Sequence, residues 1–245
     1  MSFMLYGIIT DIHGNLEALA AVLAQLQGVE RIVCAGDIVG YGPEPVECIN
    51  KIKDLGIVSI AGNHDKAVVG EHDTRWFNKR ALAAVEFTKQ QLKFENLEYL
   101  RGLPLEIHED DFQVVHGSLH SPLEDYVVSV SDALPTFEKM TKPLCFVGHY
   151  HRPLFLARKK DGFYAGHALL DGDELLIDDY DRVIINVGAV GQPRDRDPRA
   201  SYGIYNSKTK LFSLHRIPYE IEKVQDKMTK AGLPQQLSDR LKLGR

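Results

Sequence analysis

The chain has 245 residues, 44% apolar and 26% charged, a balance that builds a full core without disulfide staples. Its 29 basic and 34 acidic residues give a net charge of −5, which argues against a protein made for tight, non-specific nucleic-acid binding, since Lys and Arg drive that by neutralising phosphates. No apolar run reaches the ~18 residues that mark a membrane-spanning helix.

Taken in chain order, Leu5–Thr10 is a run of β-formers and reads as a buried strand. Leu16, Leu19, Leu23 and Leu26 follow at helical spacing, with Asn15 placed to cap that helix. Arg31–Gly36 is a second strand, Pro43 opens a helix through Asp54, and Ile57–Gly62 is a third strand. Ala81, Val85, Thr88 and Leu92 share one face of a long helix. Trp76 and Phe77 open it and read as core packing in preference to a base-stacking platform. The β-α-β-α-β order predicts a parallel sheet flanked by helices.

The second half changes character. Leu105–His108 and Phe112–His116 flank Glu109-Asp110-Asp111 and read as a hairpin, and Leu144–Val147 is a further apolar strand. Leu154–Ala157, Leu175–Ile177, Val183–Val187, Tyr202–Tyr205 and Leu211–His215 are short strands between polar turns, which suggests a mixed or antiparallel second sheet. The acidic stretch Asp171–Asp181 reads as a hairpin with exposed turns, and Tyr219–Lys230 as a terminal helix. With no repeat or long linker, a single domain over residues 1–245 is the simplest organisation. The first residues lack the basic and apolar blocks of a signal peptide, and Cys34, Cys48 and Cys145 are odd in number with no Cys-x-x-Cys spacing. Both features lead us to expect a reducing, cytoplasmic setting with Cys34 and Cys145 as buried thiols.

The informative pattern is where polar residues fall relative to strands. Asp11 and His13 follow the first strand, Asp37 the second, and Asn63, His64 and Asp65 the third; His116 ends a later strand, and His149 and His151 another. In open α/β sheets ligands bind beyond the carboxyl ends of strands, so these side chains can converge. Carboxylate, amide and imidazole donors without thiolates suit a pair of divalent cations such as Mn²⁺, Fe²⁺ or Zn²⁺. Taken singly each residue has a plain alternative: Asp11 as a helix N-cap, Asp37 and Asn63 as turn residues, His116 and His149 as satisfied core histidines. The ordered set argues against that reading.

Asp11-Ile12-His13-Gly14-Asn15, Gly36-Asp37-Ile38-Val39-Gly40, Gly62-Asn63-His64-Asp65, His116-Gly117 and Gly148-His149-Tyr150-His151 together resemble the motifs of calcineurin-like metallophosphoesterases. Asn186-Val187-Gly188 and Gly191-Gln192-Pro193-Arg194 resemble a compact bacterial subgroup of that family. The resemblance implies an α/β fold, a four-layer α-β-β-α sandwich of two mixed sheets. It implies one metal on Asp11, His13, Asp37 and His151, and a second on Asp37, Asn63, His116 and His149, with Asp37 shared. It implies attack on phosphorus by a hydroxide bridging the cations, assisted by His64 at the leaving or phosphoryl oxygen, with Asp65 orienting His64. The metal pair could be Mn, Fe, Zn, Ni or Co.

The implied activity is hydrolysis of small phosphodiesters or nucleotides. A phosphomonoesterase or phosphoprotein phosphatase using the same site is the alternative, and a non-catalytic scaffold of the same fold a more distant one. Membrane association is not expected, and a nuclease is disfavoured by the acidic balance. Arg194 is the candidate to clamp a substrate phosphate, with Arg196 and Arg199 in the same charged loop. Tyr41 is a candidate pocket residue, His120 reads as surface loop, and His72, His108, His167 and His215 as surface or strand-edge residues. Tyr150 is a bulky departure from the small residue or threonine common between the two motif histidines of relatives.

Overall fold

A computed structural model of the chain describes residues 4–245. Strand β1 (Leu5–Ile9) leads into α1 (Leu16–Gln25), β2 (Arg31–Cys34), α2 (Pro45–Asp54) and β3 (Val58–Ser59). Helices α3 (Asn63–Val68), α4 (Lys79–Gln91) and α5 (Phe94–Arg101) follow. The chain continues through β4 (Glu106–His108), β5 (Phe112–Val115), α6 (Val130–Lys139), β6 (Leu144–Val147), β7 (Pro153–Lys159), β8 (Tyr164–Ala168) and β9 (Glu174–Leu176). Strands β10 (Tyr180–Val187), β11 (Ala200–Asn206) and β12 (Leu211–Ile217) and helices α7 (Ile221–Lys230) and α8 (Gln235–Leu243) complete it.

Two six-stranded sheets result, ordered β3-β2-β1-β11-β12-β9 and β4-β5-β6-β10-β7-β8. In the first, β1, β2 and β3 are parallel, while β11 runs antiparallel to β1 and carries β12 and β9 outward. In the second, β5, β6 and β10 are parallel and the β4, β7 and β8 pairings antiparallel. The period-2 alternation of side chains divides the core. Along β6, Leu144 and Phe146 enter the space between the sheets, whereas Cys145 and Val147 pack with Ala133 and Phe137 of α6. Along β1, Tyr6 and Ile8 face the other sheet and Ile9 faces α1, α2 and α5. Helices therefore cover the outer face of each sheet, giving the four layers expected.

The departures have local causes. The proline in the first turn of α2 is Pro45, not Pro43, because Gly40 to Gly42 continue the loop that carries Tyr41. Strands β1, β2 and β3 end before Thr10, Gly36 and Gly62, whose residues turn into the loops described below. The first sheet is mixed, since β11, β12 and β9 from the far end of the chain join it. Asp171–Asp181 is not a hairpin: β9 within it pairs with β12. Helix α7 is not terminal, as α8 packs beside it. Edge strand β8 is almost wholly exposed and lacks the apolar alternation that reveals a strand. Trp76 is not core: it is 90% exposed and precedes α4, which starts at Lys79 behind the N-cap Asn78. Asn15 caps α1 as expected, accepting from the Ala18 amide at 3.1 Å.

Between the sheets Tyr6, Phe112, Phe146, Tyr205 and Phe212 form a largely edge-to-face aromatic cluster with centroids 4.9–6.4 Å apart. Phe146 is fully buried at its centre. The Phe146→Ala variant is expected to lose about 3–5 kcal/mol of stability, read as a lower urea midpoint at unchanged m-value; a loss under about 1 kcal/mol would show that the sheets close over the gap.

Candidate metal centre

The loops following β1, β2, β5 and β6, together with the first turn of α3, meet at one end of the sandwich. They are laced by backbone bonds: Asp11 N–H to Gly36 O at 3.0 Å, His13 N–H to Asp37 O at 2.9 Å, Gly148 N–H to His116 O at 2.8 Å and Gly191 N–H to Asp11 O at 2.9 Å. Asp11, His13, Asp37, Tyr41, His149 and His151 all have left-handed φ between 49° and 67°. Among the described non-glycine residues only Arg196 and Lys210 share that conformation. Each such residue costs about 1–3 kcal/mol and persists only where its surroundings dictate it.

Two motif glycines allow the loops to close. A Cβ on Gly62 would stand 2.0 Å from Asp37 Oδ1, and one on Gly148 2.3 Å from Thr10 Oγ1, distances no side chain tolerates.

Seven of the predicted residues form one buried group. Donor atoms of Asp11, His13, Asp37 and His151 lie within 4.8 Å of one another, as do those of Asp37, His116 and His149. Asn63 joins the second set, its Oδ1 3.2 Å from His116 Nε2. Three rings are fixed through Nδ1 by backbone carbonyls: His13 by Val39 at 3.0 Å, His116 by Ala35 at 2.8 Å and His151 by Gln192 at 2.6 Å. A carbonyl accepts only, so Nδ1 carries the proton and Nε2 of the neutral ring presents a lone pair. His13 Nε2 and His151 Nε2 nevertheless stand 3.1 Å apart. Two neutral rings so placed repel unless a metal ion or a shared proton lies between them.

The carboxylates say the same. Asp11 Oδ2 accepts from Thr10 Oγ1 at 2.9 Å and the His149 amide at 3.2 Å, and Asp37 Oδ1 from the His64 amide at 2.9 Å. Asp11 Oδ1 and Asp37 Oδ2 are buried without a hydrogen-bond donor. Asp37 Oδ2 lies 3.5 Å from His13 Nε2 and 3.4 Å from His116 Nε2, between the two sets. Orphaned anionic oxygens facing imidazole lone pairs are an oxygen–nitrogen donor set for hard or borderline divalent ions. The residues thus fit a dinuclear metal site.

The electrostatics are consistent. Burial pushes both carboxyls up, yet His151 and His116 at Asp11, and His116, His64 and His13 at Asp37, outweigh it and hold both below the usual range. Burial pushes His116 down, but Asp37 and Asp11 reverse it and lift the ring to about 9. Burial dominates at His13, at His151 and at His149, which falls to about 3. The chain on its own therefore keeps positive charge beside Asp37, where a cation would compete with a proton.

His64 is buried, its ring 4.5 Å from Tyr41 and 4.9 Å from Phe77, and burial lowers it to about 4. The orienting role expected of Asp65 is not what the structure places there. Asp65 accepts from the backbone amides of Gly62, Val39 and Ile38 at 2.9, 3.1 and 3.3 Å, and His64 Nδ1 has no hydrogen-bond partner. The one-residue offset along α3 turns Asp65 back onto the loop carrying Asp37, so it anchors two loops.

Tyr41 is buried, edge-on to His13 at 4.7 Å, and walls the group more than it opens a pocket. Arg194 lies over the Tyr41 ring at 5.7 Å and donates to Gln192 Oε1 at 3.0 Å, while its Nε has no partner. Arg199 is engaged by Asp197 and Asp171 at 2.7 Å each, and Arg196 is exposed. Tyr150 is half-buried and turned to Arg152, which lies 5.2 Å from its ring and 3.3 Å from its hydroxyl. His120 is exposed, as expected. No motif points to Thr10, or to Tyr126, whose ring stacks on His149 at 3.9 Å.

The profile of the calcineurin-like phosphoesterase superfamily domain matches residues 4–210. The chain belongs to that superfamily. It is a hydrolase acting on phosphoester bonds. A metallophosphoesterase from Sphaerobacter thermophilus is 41% identical and superposes with a TM-score of 0.90, each chain covered in full. An uncharacterized protein of Methanocaldococcus jannaschii is 39% identical, with 97% of both chains aligned. A hypothetical protein from Pyrococcus horikoshii OT3, 20% identical with a TM-score of 0.82 over 98% of both chains, shares the fold. A symmetrical bis(5'-nucleosyl)-tetraphosphatase of Vibrio vulnificus is 29% identical over 56% of this phosphoesterase, which spans 48% of that relative's length. No helix among the described residues is long and apolar enough to cross a membrane.

If Asp65 anchors loops, Asp65→Asn leaves at least one of three buried amides without its acceptor and should cost about 1–3 kcal/mol of stability, seen in the urea midpoint. An unchanged midpoint with activity alone lost would return Asp65 to the role of orienting His64.

Proposed function

We propose that this phosphoesterase hydrolyses small phosphodiesters or nucleotides at a dinuclear centre. Asp11, His13, Asp37 and His151 would hold one cation and Asp37, Asn63, His116 and His149 the other. The observation that carries the reading is the donor-free Asp37 Oδ2 set between His13 Nε2 and His116 Nε2, a place from which one carboxylate would hold both cations. When bound, such a pair supplies charge stabilisation at phosphorus and a nucleophile at neutral pH. The metal is Mn, Fe, Zn, Ni or Co, since a nitrogen–oxygen set of this kind accepts several.

The chain's own residues do the rest. Burial keeps His64 neutral near pH 7, which favours it as a hydrogen-bond donor to the phosphoryl or leaving oxygen over a preformed imidazolium acid. Tyr41 and Phe77 hold its ring from two sides. Arg194, free of any carboxylate, offers its guanidinium to a substrate phosphate. The partial similarity to bis(5'-nucleosyl)-tetraphosphatases supports nucleotide-type substrates. The intact donor set and His64 argue against a non-catalytic scaffold. A single domain, acting in a reducing cytoplasm, fits three buried cysteines with no disulfide.

Protein stripped by chelation should not turn over bis-p-nitrophenyl phosphate, and Mn²⁺ should restore it; no turnover with any of several divalent metals on mono- or diesters would overturn the reading. Asp37→Asn should lose both metals by elemental analysis, whereas loss of one alone would contradict a shared carboxylate. His64→Ala should keep full metal occupancy and lower kcat by about 10²–10⁴-fold. Arg194→Ala should raise KM or lower kcat/KM, and unchanged kinetics would reject the clamp.

A further inference from the structure

Beside the metal-ligand cluster lies a cleft of about 390 Å³ whose lining includes Asn63 and His149 of the cluster itself, together with Trp76, Phe77, Tyr126 and Glu124. That volume is in the range of small-molecule sites. Trp76 is the chain's one tryptophan and is 90% exposed. It is also held in place. The turn that carries it closes with Phe77 N–H donating to Thr74 O at 2.9 Å and is braced by a forked Arg75–Asp73 pair. Phe77 anchors it inward, with its ring 4.9 Å from His64 and 5.8 Å from His72. Tyr126, which lines the same cleft, stacks on His149 at 3.9 Å and is half exposed.

An exposed indole on a braced turn is costly to leave in water and has a π-face to offer. The lining is aromatic, and its charged members, Glu124 and Asp125, are acceptors only. They repel a phosphate and accept from amino groups and ring N–H groups. The cleft is thus matched to a flat, uncharged, N–H-bearing ring, while the anionic part of the same molecule is directed to the cluster that shares its Asn63 and His149. We propose that this cleft is a nucleobase subsite, in which Trp76 and Tyr126 stack on the base of a nucleotide phosphoester whose phosphate lies at the metal-ligand cluster. The inference rests on the phosphoesterase reading above and deepens it, making the substrate a nucleoside-bearing ester.

The single tryptophan gives a direct readout. With excitation at the red edge of indole absorption, adenosine and adenosine 5'-monophosphate should quench the emission of the full-length protein saturably, with or without Mn²⁺, while ribose 5-phosphate should not. No saturable response to either adenine compound, or an equal response to ribose 5-phosphate, would overturn the proposal. Calorimetric affinity for adenosine should fall about ten-fold in Trp76→Ala, the scale of one lost base–aromatic stack, and be largely retained in Trp76→Phe. Unchanged affinity in Trp76→Ala would overturn it as well. Because these titrations use a nucleoside without phosphate, they separate the two readings. A protein that binds adenosine but hydrolyses no ester keeps the cleft and loses the activity; a phosphoesterase that ignores adenosine keeps the activity and loses the cleft.

Discussion

Two ionised carboxylates buried side by side set the terms for the rest of this molecule. Asp11 and Asp37 are shielded from solvent, each with one oxygen satisfied by the protein and one left without a donor. Burying a charge is expensive unless it is paired, and like charges make it worse. Two imidazoles, His13 and His151, locked by backbone carbonyls so that their lone pairs point inward, cannot supply the missing donors. The fold thus builds a deficit of positive charge at a defined point. Its remedy is a cation pair, and without one a proton on His116.

Holding that deficit in place requires the loops to be stiff. The left-handed residues, the glycines that admit neighbouring carboxylates, and the amides gathered by Asp65 all serve to fix backbone at strand ends. The sheets behind them are fixed by ordinary means: alternating apolar strands, an aromatic cluster between layers and helices on the outside. Strain is concentrated where chemistry is, and the regular elements carry the stability that tolerates it.

Much of this was legible in the chain itself. Polar residues placed just after apolar strands predicted which side chains would meet, because strand ends on one side of a sheet share one edge. The runs that became β1, β2, β6 and β10 were visible because each contains a continuous buried, mainly apolar stretch. Edge strand β8 and helices such as α5 and α8 carry too few buried positions to impose a period. Asp65 is paired by sequence adjacency with His64, whereas two of its three amide partners lie 26 and 27 residues away, a relation set by folding. Trp76 reads as core packing when it is placed with Phe77 at the start of the long helix, whereas the helix begins only at Lys79 and Trp76 lies in an exposed turn before it.

The pairing of β11 with β1 has a bearing on how the protein comes into being. Every donor proposed for the metals is synthesised by residue 151, yet His151 is held by Gln192, Asp11 by Gly191, and the first sheet is left with an open edge until Ala200–Asn206 arrives. A nascent chain therefore carries the full ligand set well before it has a finished receptacle. The carbonyl that holds His151 and the amide that holds Asp11 thus come from beyond the last of those donors, so the receptacle is closed only when the far end of the chain is folded against its beginning.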